Sequence, residues 1–338
     1  MAQQPGSLPP QAVVVQMAMG YTVSRALYVT AKLGVADLLA AGPRDSSDLA
    51  QACGANPGAL FRLLRAMASV GLFTEVSPRT FALTPMGETL RSRQPAAVRE
   101  TILALAGGWT WAAFGEFEHA VRTGKTGFEK AFGMGAFDWL GQHPEEAALF
   151  NDAMIGVHGQ EPQAVATGYD FSGIGTLVDV GGGTGNLISK ILATTPGLKG
   201  VIYDLPHVEG PARERIAKLG LADRCTVVGG SFFDSVPKGD AYIMSHIIHD
   251  WDEPRCLKIL GNCLKANPKA KVMIVEMVIP PGDGPHPGKM LDLMMLNAPG
   301  GMERSEAEYG ELLGKAGYKM TRVVPTGSAV SVVEGVAR

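Results

Sequence analysis

The chain has little of what would mark a special environment. Its 338 residues include only four cysteines, Cys53, Cys225, Cys256 and Cys263. None forms a Cys-x-x-Cys pair and none has histidines at zinc-finger spacing, which excludes the patterns of a redox dithiol and of a structural zinc site. They read as buried, reduced thiols of a cytoplasmic protein, with Cys256 and Cys263 two helical turns apart and facing a core. No apolar run reaches the roughly 18 residues that span a bilayer. Residues 1–10 (MAQQPGSLPP) are polar and proline-rich, without the basic start and apolar core of a secretory leader. An excess of one charge is also missing: 30 Lys and Arg against 33 Asp and Glu leave a net −3, no electrostatic footprint for nucleic acid or an anionic membrane. With 46% apolar and 19% charged residues, the chain has a globular composition and the length for two cores.

What is present divides by texture. Residues 11–41 carry apolar positions at helical spacing and stop at Gly42-Pro43, which predicts a helix. Its apolar residues (Val13, Val14, Val15, Met17, Met19 and Tyr21 among them) run round more than one face, so burial on several sides and a homodimer are expected. Two short helices then follow, one opened at Ser47 and closed at Gly54, the next opened at Asn56-Pro57 and closed at Gly71. Two β-rich pieces, LFTEV and TFALT, complete a winged-helix pattern. Residues from about 95 to 165 read as helical. Beyond Gly168, β-branched runs alternate with helical segments, which predicts a mostly parallel, doubly wound α/β sheet with helices on both faces. The expected domains are an N-terminal helical and winged-helix domain over 1–100, a helical connector over 101–168, and an α/β domain over 169–338.

The strongest local signal is Leu177-Val-Asp-Val-Gly-Gly-Gly-Thr-Gly-Asn186, an apolar strand running into glycines and then a helix. Glycines there allow a sharp turn and bring a ligand close to main-chain N–H groups. The dinucleotide fingerprint fails, because Asn186 stands where its last glycine belongs, and a Walker loop fails for want of Gly-Lys-Ser/Thr. Asp204 ends the next strand, 25 residues after Asp179, where a carboxylate accepts both hydroxyl protons of an adenosine ribose. The pair points to an adenosine-containing ligand. By itself it does not separate a nucleotide cofactor from a sulfonium one.

The fourth strand ends in Ser245-His-Ile-Ile-His-Asp-Trp-Asp-Glu-Pro254. Carboxyl ends of strands face the ligand crevice of an open α/β sheet. His249 suits proton transfer near neutral pH and is the candidate general base for a hydroxyl acceptor; His246, three residues earlier, fits packing beneath the loop. Glu276 interrupts the apolar strand KVMIVEMVI, where a carboxylate is costly without a partner. It is the candidate for the histidine's other ring nitrogen. Glu303, ahead of a helix capped by Ser305 with Glu308 three residues on, is a second candidate for that role. An exposed charge near a helix N-terminus is the plainer reading of Glu303.

The ordered set VDVGGGTG, YDLPHV, VPKGDAYIMSHIIHDW, VEMVIP and PGGMERS resembles the metal-independent, S-adenosylmethionine-dependent O-methyltransferase family, over nearly the whole chain from about residue 12. The resemblance implies a winged-helix dimerisation domain, a Rossmann-like catalytic domain, a homodimer, no metal, and methyl transfer to a hydroxyl of a small aromatic molecule. It implies His249 as base flanked by Glu276 and Glu303. Cofactor contacts are implied at Asp179, Gly181, Gly183, Asp204, Leu205, Ser231, Phe232 and Ser245, and substrate contacts at Asp250, Met154, His158 and Asn297. Ser231 stands where the family usually has an aspartate for the adenine amino group, and Ser245 where plant members often carry lysine. His158 replaces a small hydroxyl residue.

Two rival readings are weighed against this one. A winged-helix DNA-binding regulator needs a basic face, but the helix over residues 59–70 offers only Arg62 and Arg65 beside an apolar stripe of Leu60, Leu63, Leu64 and Met67. An N-methyltransferase, or another S-adenosylmethionine-dependent enzyme, fits the same fold, but an amine nucleophile has less need of His249.

Overall fold

The structure, a computed structural model, describes residues 8–92 and 97–338. The opening MAQQPGS lies outside the described residues. The chain forms two compact units: the first takes in the N-terminal part through Ala112 together with Asp138–Gly159, the second Ala113–Phe137 and Gln160–Arg338. The chain therefore passes between units three times. Among the described residues no helix is long and apolar enough to cross a membrane.

In the first unit, the opening apolar segment is three helices rather than one: Pro10–Ala18, Gly20–Lys32 and Val35–Leu38. Gly34, at φ 66°, separates the second from the third. Val14, Val15, Met17, Met19 and Tyr21 are each at least half exposed. The helix Ser46–Cys53 is capped by Asp45, whose carboxylate accepts from the Ser47 N–H at 2.7 Å, so it begins one residue ahead of the serine that marks it in the sequence. Asn56 caps Pro57–Ser69 by accepting from the Ala59 N–H at 3.0 Å, with Pro57 in the first turn. That helix buries Leu60, Leu64 and Met67. The strands Phe73–Ser77 and Thr80–Leu83 pair antiparallel, and Arg44–Asp45 adds a short third. Helices Arg99–Leu105 and Pro144–His158 also belong to this unit. A methyl group on Gly156 would lie 2.6 Å from the Thr101 hydroxyl, so this glycine sets how near they come.

The second unit is built on a seven-stranded sheet: β1 Thr176–Val180, β2 Lys199–Asp204, β3 Cys225–Gly229, β4 Ala241–Ser245, β5 Lys271–Glu276, β6 Tyr318–Pro325 and β7 Ser331–Ala337. Its order is β6-β7-β5-β4-β1-β2-β3, parallel throughout β5-β4-β1-β2-β3, with β7 antiparallel to both of its neighbours. Alternate strand residues feed two cores, as a period of two requires. Leu177, Ile202, Ile243 and Met273 pack with Ile188 and Ile191 of the helix Asn186–Thr194 on one face. Val178, Tyr242, Met244 and Ile274 pack with Cys256, Ile259 and Cys263 of Glu253–Ala266 on the other. Burial on both faces explains why these strands read as continuous apolar runs. Truncating one such fully buried isoleucine to alanine costs about 2–5 kcal/mol. Between β1 and β2 on one side and β4 and β5 on the other, the carboxyl ends converge on one edge.

Candidate active site

The glycine loop and the acidic strand end are one piece of structure. Leaving β1, the chain turns through Gly181 (φ 72°), Gly183 (φ 54°) and Gly185 (φ 81°), a backbone region that side-chain-bearing residues avoid. Asp204, at the end of β2, accepts from the Gly183 N–H through Oδ2 and from the Leu205 N–H through Oδ1, both at 2.7 Å. Asp179 lies beneath the loop, where a methyl group on Gly182 would come within 2.8–2.9 Å of its carboxylate. Burial, and then the charge of Asp204, push the Asp179 carboxyl up to about 7. Its Oδ2 is buried without a hydrogen-bond partner. Past β3, Ser231 accepts the Phe233 N–H at 3.2 Å. Phe232 stands beside the loop, 3.6 Å from where a Gly181 methyl would be, and meets Trp251 edge-on. Ser245, half-buried, closes β4 in register with Val275.

The second half of the site follows β4. His249 is buried on a single 3-10 turn, Ile248–Asp250. Its Nδ1 lies 2.5 Å from Glu303 Oε1, and its Nε2 lies 3.6 Å from Asp250 Oδ1. Glu276, fully buried at the end of β5, does not meet the imidazole ring. It accepts the backbone N–H of His249 at 3.0 Å through Oε1 and the Tyr309 hydroxyl through Oε2. Of the two carboxylates proposed for the ring nitrogen, the structure thus gives that contact to Glu303 and gives Glu276 the main chain. A strand residue points where its pleat sends it, and this one points at the turn rather than at the ring. Burial works against the imidazolium, but the carboxylates of Asp250, Glu303 and Glu276 outweigh it and push His249 up to about 10.

Three partners carry no sequence signal. Tyr309 reads as an ordinary apolar-face position of the helix Glu306–Lys315, whose capping box of Ser305 and Glu308 is present as read. Asp292 accepts the Glu303 N–H at 2.8 Å and so holds the loop that presents the carboxylate. Arg304, almost fully buried, donates to the Ile248 and Met302 carbonyls at 3.3 and 3.1 Å. Of the remaining candidates, Asn297 is completely buried at the end of Pro287–Asn297, and both of its amide atoms lack a partner. Met154 and His158 are half-buried on a helix of the first unit. Among the described residues no cluster of three or more His, Cys, Asp or Glu is arranged to hold a metal ion.

Comparison with known proteins decides what this arrangement belongs to. An O-methyltransferase domain is matched over residues 114–319, and an O-methyltransferase dimerisation domain over residues 15–93. The chain belongs to the O-methyltransferase family. It is 44% identical to the phenazine O-methyltransferase PhzM of Lysobacter antibioticus over 331 residues, 97% of each chain. The crystal structure of LaPhzM superposes with a TM-score of 0.93 at 43% identity, covering 98% of this chain and 100% of that one. The O-methyltransferase NcsB1 from neocarzinostatin biosynthesis, solved with S-adenosyl-L-homocysteine and 1,4-dihydroxy-2-naphthoic acid, gives a TM-score of 0.83 at 37% identity, covering 94% of this chain and 96% of that one. The protein is an S-adenosylmethionine-dependent O-methyltransferase, and its residues fit that co-substrate. An added Cβ would strike Ile247 at Gly181 and the Asp179 carboxylate at Gly182, so the loop keeps its close turn only with glycine at both positions. Asp179 offers an unsatisfied acceptor, and Asp204 keeps lone pairs for a ribose diol.

Proposed function

We propose that this enzyme methylates a phenolic hydroxyl of a small, flat aromatic acceptor, with His249 as general base. The observation that carries the reading is the His249–Glu303 contact: a carboxylate on Nδ1 fixes the tautomer that leaves Nε2 as the acceptor of a proton. A pKa pushed up to about 10 matches the ordinary phenol value of about 10, so the proton moves between groups of similar basicity. Bound S-adenosylmethionine supplies an electrophilic methyl group. As the acceptor oxygen forms its bond to that carbon, the O–H proton passes to His249 Nε2 and the C–S bond breaks, leaving the ether, an imidazolium and S-adenosylhomocysteine. Glu303 steadies that imidazolium. Glu276, tied by Tyr309, keeps the turn in place through the His249 main chain.

Asp179, Gly181, Gly183, Asp204, Leu205, Ser231, Phe232 and Ser245 hold the co-substrate in this reading, with Ser231 a weaker acceptor for the adenine than the usual carboxylate. Asp250 borders the reacting hydroxyl. Asn297 serves as a polar contact for the acceptor, since a buried amide without partners is costly unless a ligand or water meets it. Met154 and His158 are proposed as further acceptor contacts on the family resemblance alone. The exposed apolar residues of the opening helices, inside the matched dimerisation segment, form the seam of a homodimer.

The test is a panel of hydroxynaphthoic acids and hydroxyphenazines beside the matching aryl amines, assayed for methylated product by mass spectrometry. Hydroxyl acceptors turn over, and His249→Ala lowers kcat on them by roughly 10²–10⁴ while the Kd for S-adenosylhomocysteine holds. Preference for the amines, with turnover indifferent to His249, would replace this reading with N-methylation.

A further inference from the structure

The turn that carries His249 is pinned at two points, and only one of them belongs to the machinery described above. At its start, His246 has φ 54°. Among the described residues the only other non-glycine with positive φ is Arg79, in the tight turn of the wing hairpin. A left-handed histidine at the end of a sheet strand is strained, and it persists where its surroundings demand it. The surroundings here are specific. The His246 N–H donates to the Val275 carbonyl at 3.1 Å, which continues the β4–β5 pairing for one more bond. The His246 Nε2 meets Glu161 Oε2 at 2.8 Å, and the side chains of the two residues are only 9% and 14% exposed. The imidazole ring then lies 5.2 Å from that of His249, tilted by 55°. Glu161 is the first residue of the helix Glu161–Gly168 and has no part in binding or catalysis as derived so far.

We propose that His246 and Glu161 form a positioning pair for methyl transfer: Glu161 fixes His246, and His246 fixes the start of the catalytic turn and faces Asp250 beside the base. The inference rests on the reading of His249 as general base. If filling space were the whole requirement, glycine or asparagine at 246 would relieve the backbone, and an apolar residue at 161 would avoid a nearly buried carboxylate. The structure keeps the imidazole and the carboxylate instead, with their polar atoms in contact. Among the groups facing His246 are Glu161 from the helix, with His249 and Asp250 from the turn. Those facing Asp250 are His249, Glu276, His246 and Glu303. For Asp250, burial comes first and raises its pKa, His249 lowers it, Glu276 raises it, His246 lowers it and Glu303 raises it, which leaves it at about 6. Removing the contribution of His246 leaves the carboxyl of Asp250 to protonate at a higher pH.

The experiment compares Glu161→Gln, which keeps shape and removes charge, with His246→Gly, which removes the ring and relieves the backbone, and with the double variant. For each, kcat and KM are measured from pH 5 to 10 on the best acceptor, together with the Kd for S-adenosylhomocysteine and the Tm. Expected are a loss of about tenfold or more in kcat in each single variant and a double variant no worse than the more impaired single, since one pair is broken once. The inflection near pH 6 that Asp250 sets, distinct from the alkaline rise that His249 sets, moves to higher pH, the Kd stays within about threefold, and the folded protein is retained. A merely structural role would lower Tm and leave the inflection near pH 6 where it was. His249→Ala, run alongside, separates the two failures. If it is inactive while both single variants keep wild-type kcat and pH profile, the pair only packs and the inference is overturned. Wild-type turnover of His249→Ala would overturn the base assignment, and the role of the pair with it.

Discussion

Glu303→Gln is the most direct probe of the site, because it changes charge without changing shape. In the wild type the carboxylate meets His249 Nδ1 at 2.5 Å, with Glu303 itself buried. With the two delocalised charges centred about 4 Å apart and an effective dielectric near 20, their attraction is about 4 kcal/mol. One decade corresponds to about 1.36 kcal/mol, so removing that charge from a step that creates an imidazolium slows it by about 10³. The amide can also turn its NH₂ toward Nδ1, which would trap the wrong tautomer and deepen the loss to about 10⁴. The pH dependence moves as well. With His249 as the proposed base, reaction needs its neutral form, and a pKa held up at about 10 makes wild-type kcat/KM climb through the alkaline range. Without the Glu303 charge the climb is complete at lower pH, on a lower plateau. Stability follows the same sign: a raised histidine pKa contributes stability that is fully present below the unfolded value of about 6.5 and is lost as pH rises through the folded one. Glu303→Gln therefore flattens the alkaline fall in Tm. Steady-state rates from pH 6 to 10 with the best acceptor of the panel decide the matter. A plateau rate within threefold of wild type and an unmoved limb would refute the argument.

Tyr309→Phe leaves Glu276 Oε2 buried without its donor; the expected cost is about 2 kcal/mol, a fall of roughly 4–8 °C in Tm by calorimetry, with kcat reduced less than in Glu303→Gln. Gly182→Ala places a methyl against the Asp179 carboxylate; isothermal titration should show S-adenosylhomocysteine binding weakened by tenfold or more, while circular dichroism shows the fold retained. S-adenosylhomocysteine at 100 times its Kd stabilises the wild type by about 2.7 kcal/mol, NAD should give no Tm shift, and a shift with NAD alone would overturn the cofactor assignment. Glutamates at Val15 and Met17, exposed on the first helix, should turn a dimer into monomer or aggregate by light scattering, and an unaltered dimer would place its seam elsewhere.

What could be read from the sequence is what the chain encodes within a few residues. The caps at Asn56 and Ser305 bond three residues onward, and a cap needs only the right side chain at the right offset. The strand and helix order of the second unit follows from apolar periods, and with it the placing of Asp204 and His249 at carboxyl ends of strands. Periodicity says less about interruption: residues 11–41 keep their apolar spacing across the break at Met19, which separates two helices without disturbing it. Nor does a helical stretch record which body it packs against, and Ala113–Phe137 joins the second unit between two segments of the first.

The division of labour between the two glutamates shows the limit most clearly. The cost of burying a carboxylate in the apolar strand β5 already implied that Glu276 has partners. It could not say which, because those partners, His249 and Tyr309, come from a turn 27 residues before it and a helix 33 residues after it. Glu303 carried the weaker signal and holds the ring, from 54 residues away. Burial energy is a property of one residue in its segment and survives in the sequence. Hydrogen-bond direction is a property of two segments at once, fixed only when sheet, turn and loop close on the same point. The chemistry of the site depends on the second kind of information, so a charge change at Glu303 tests the assembled geometry in a way that no motif comparison can.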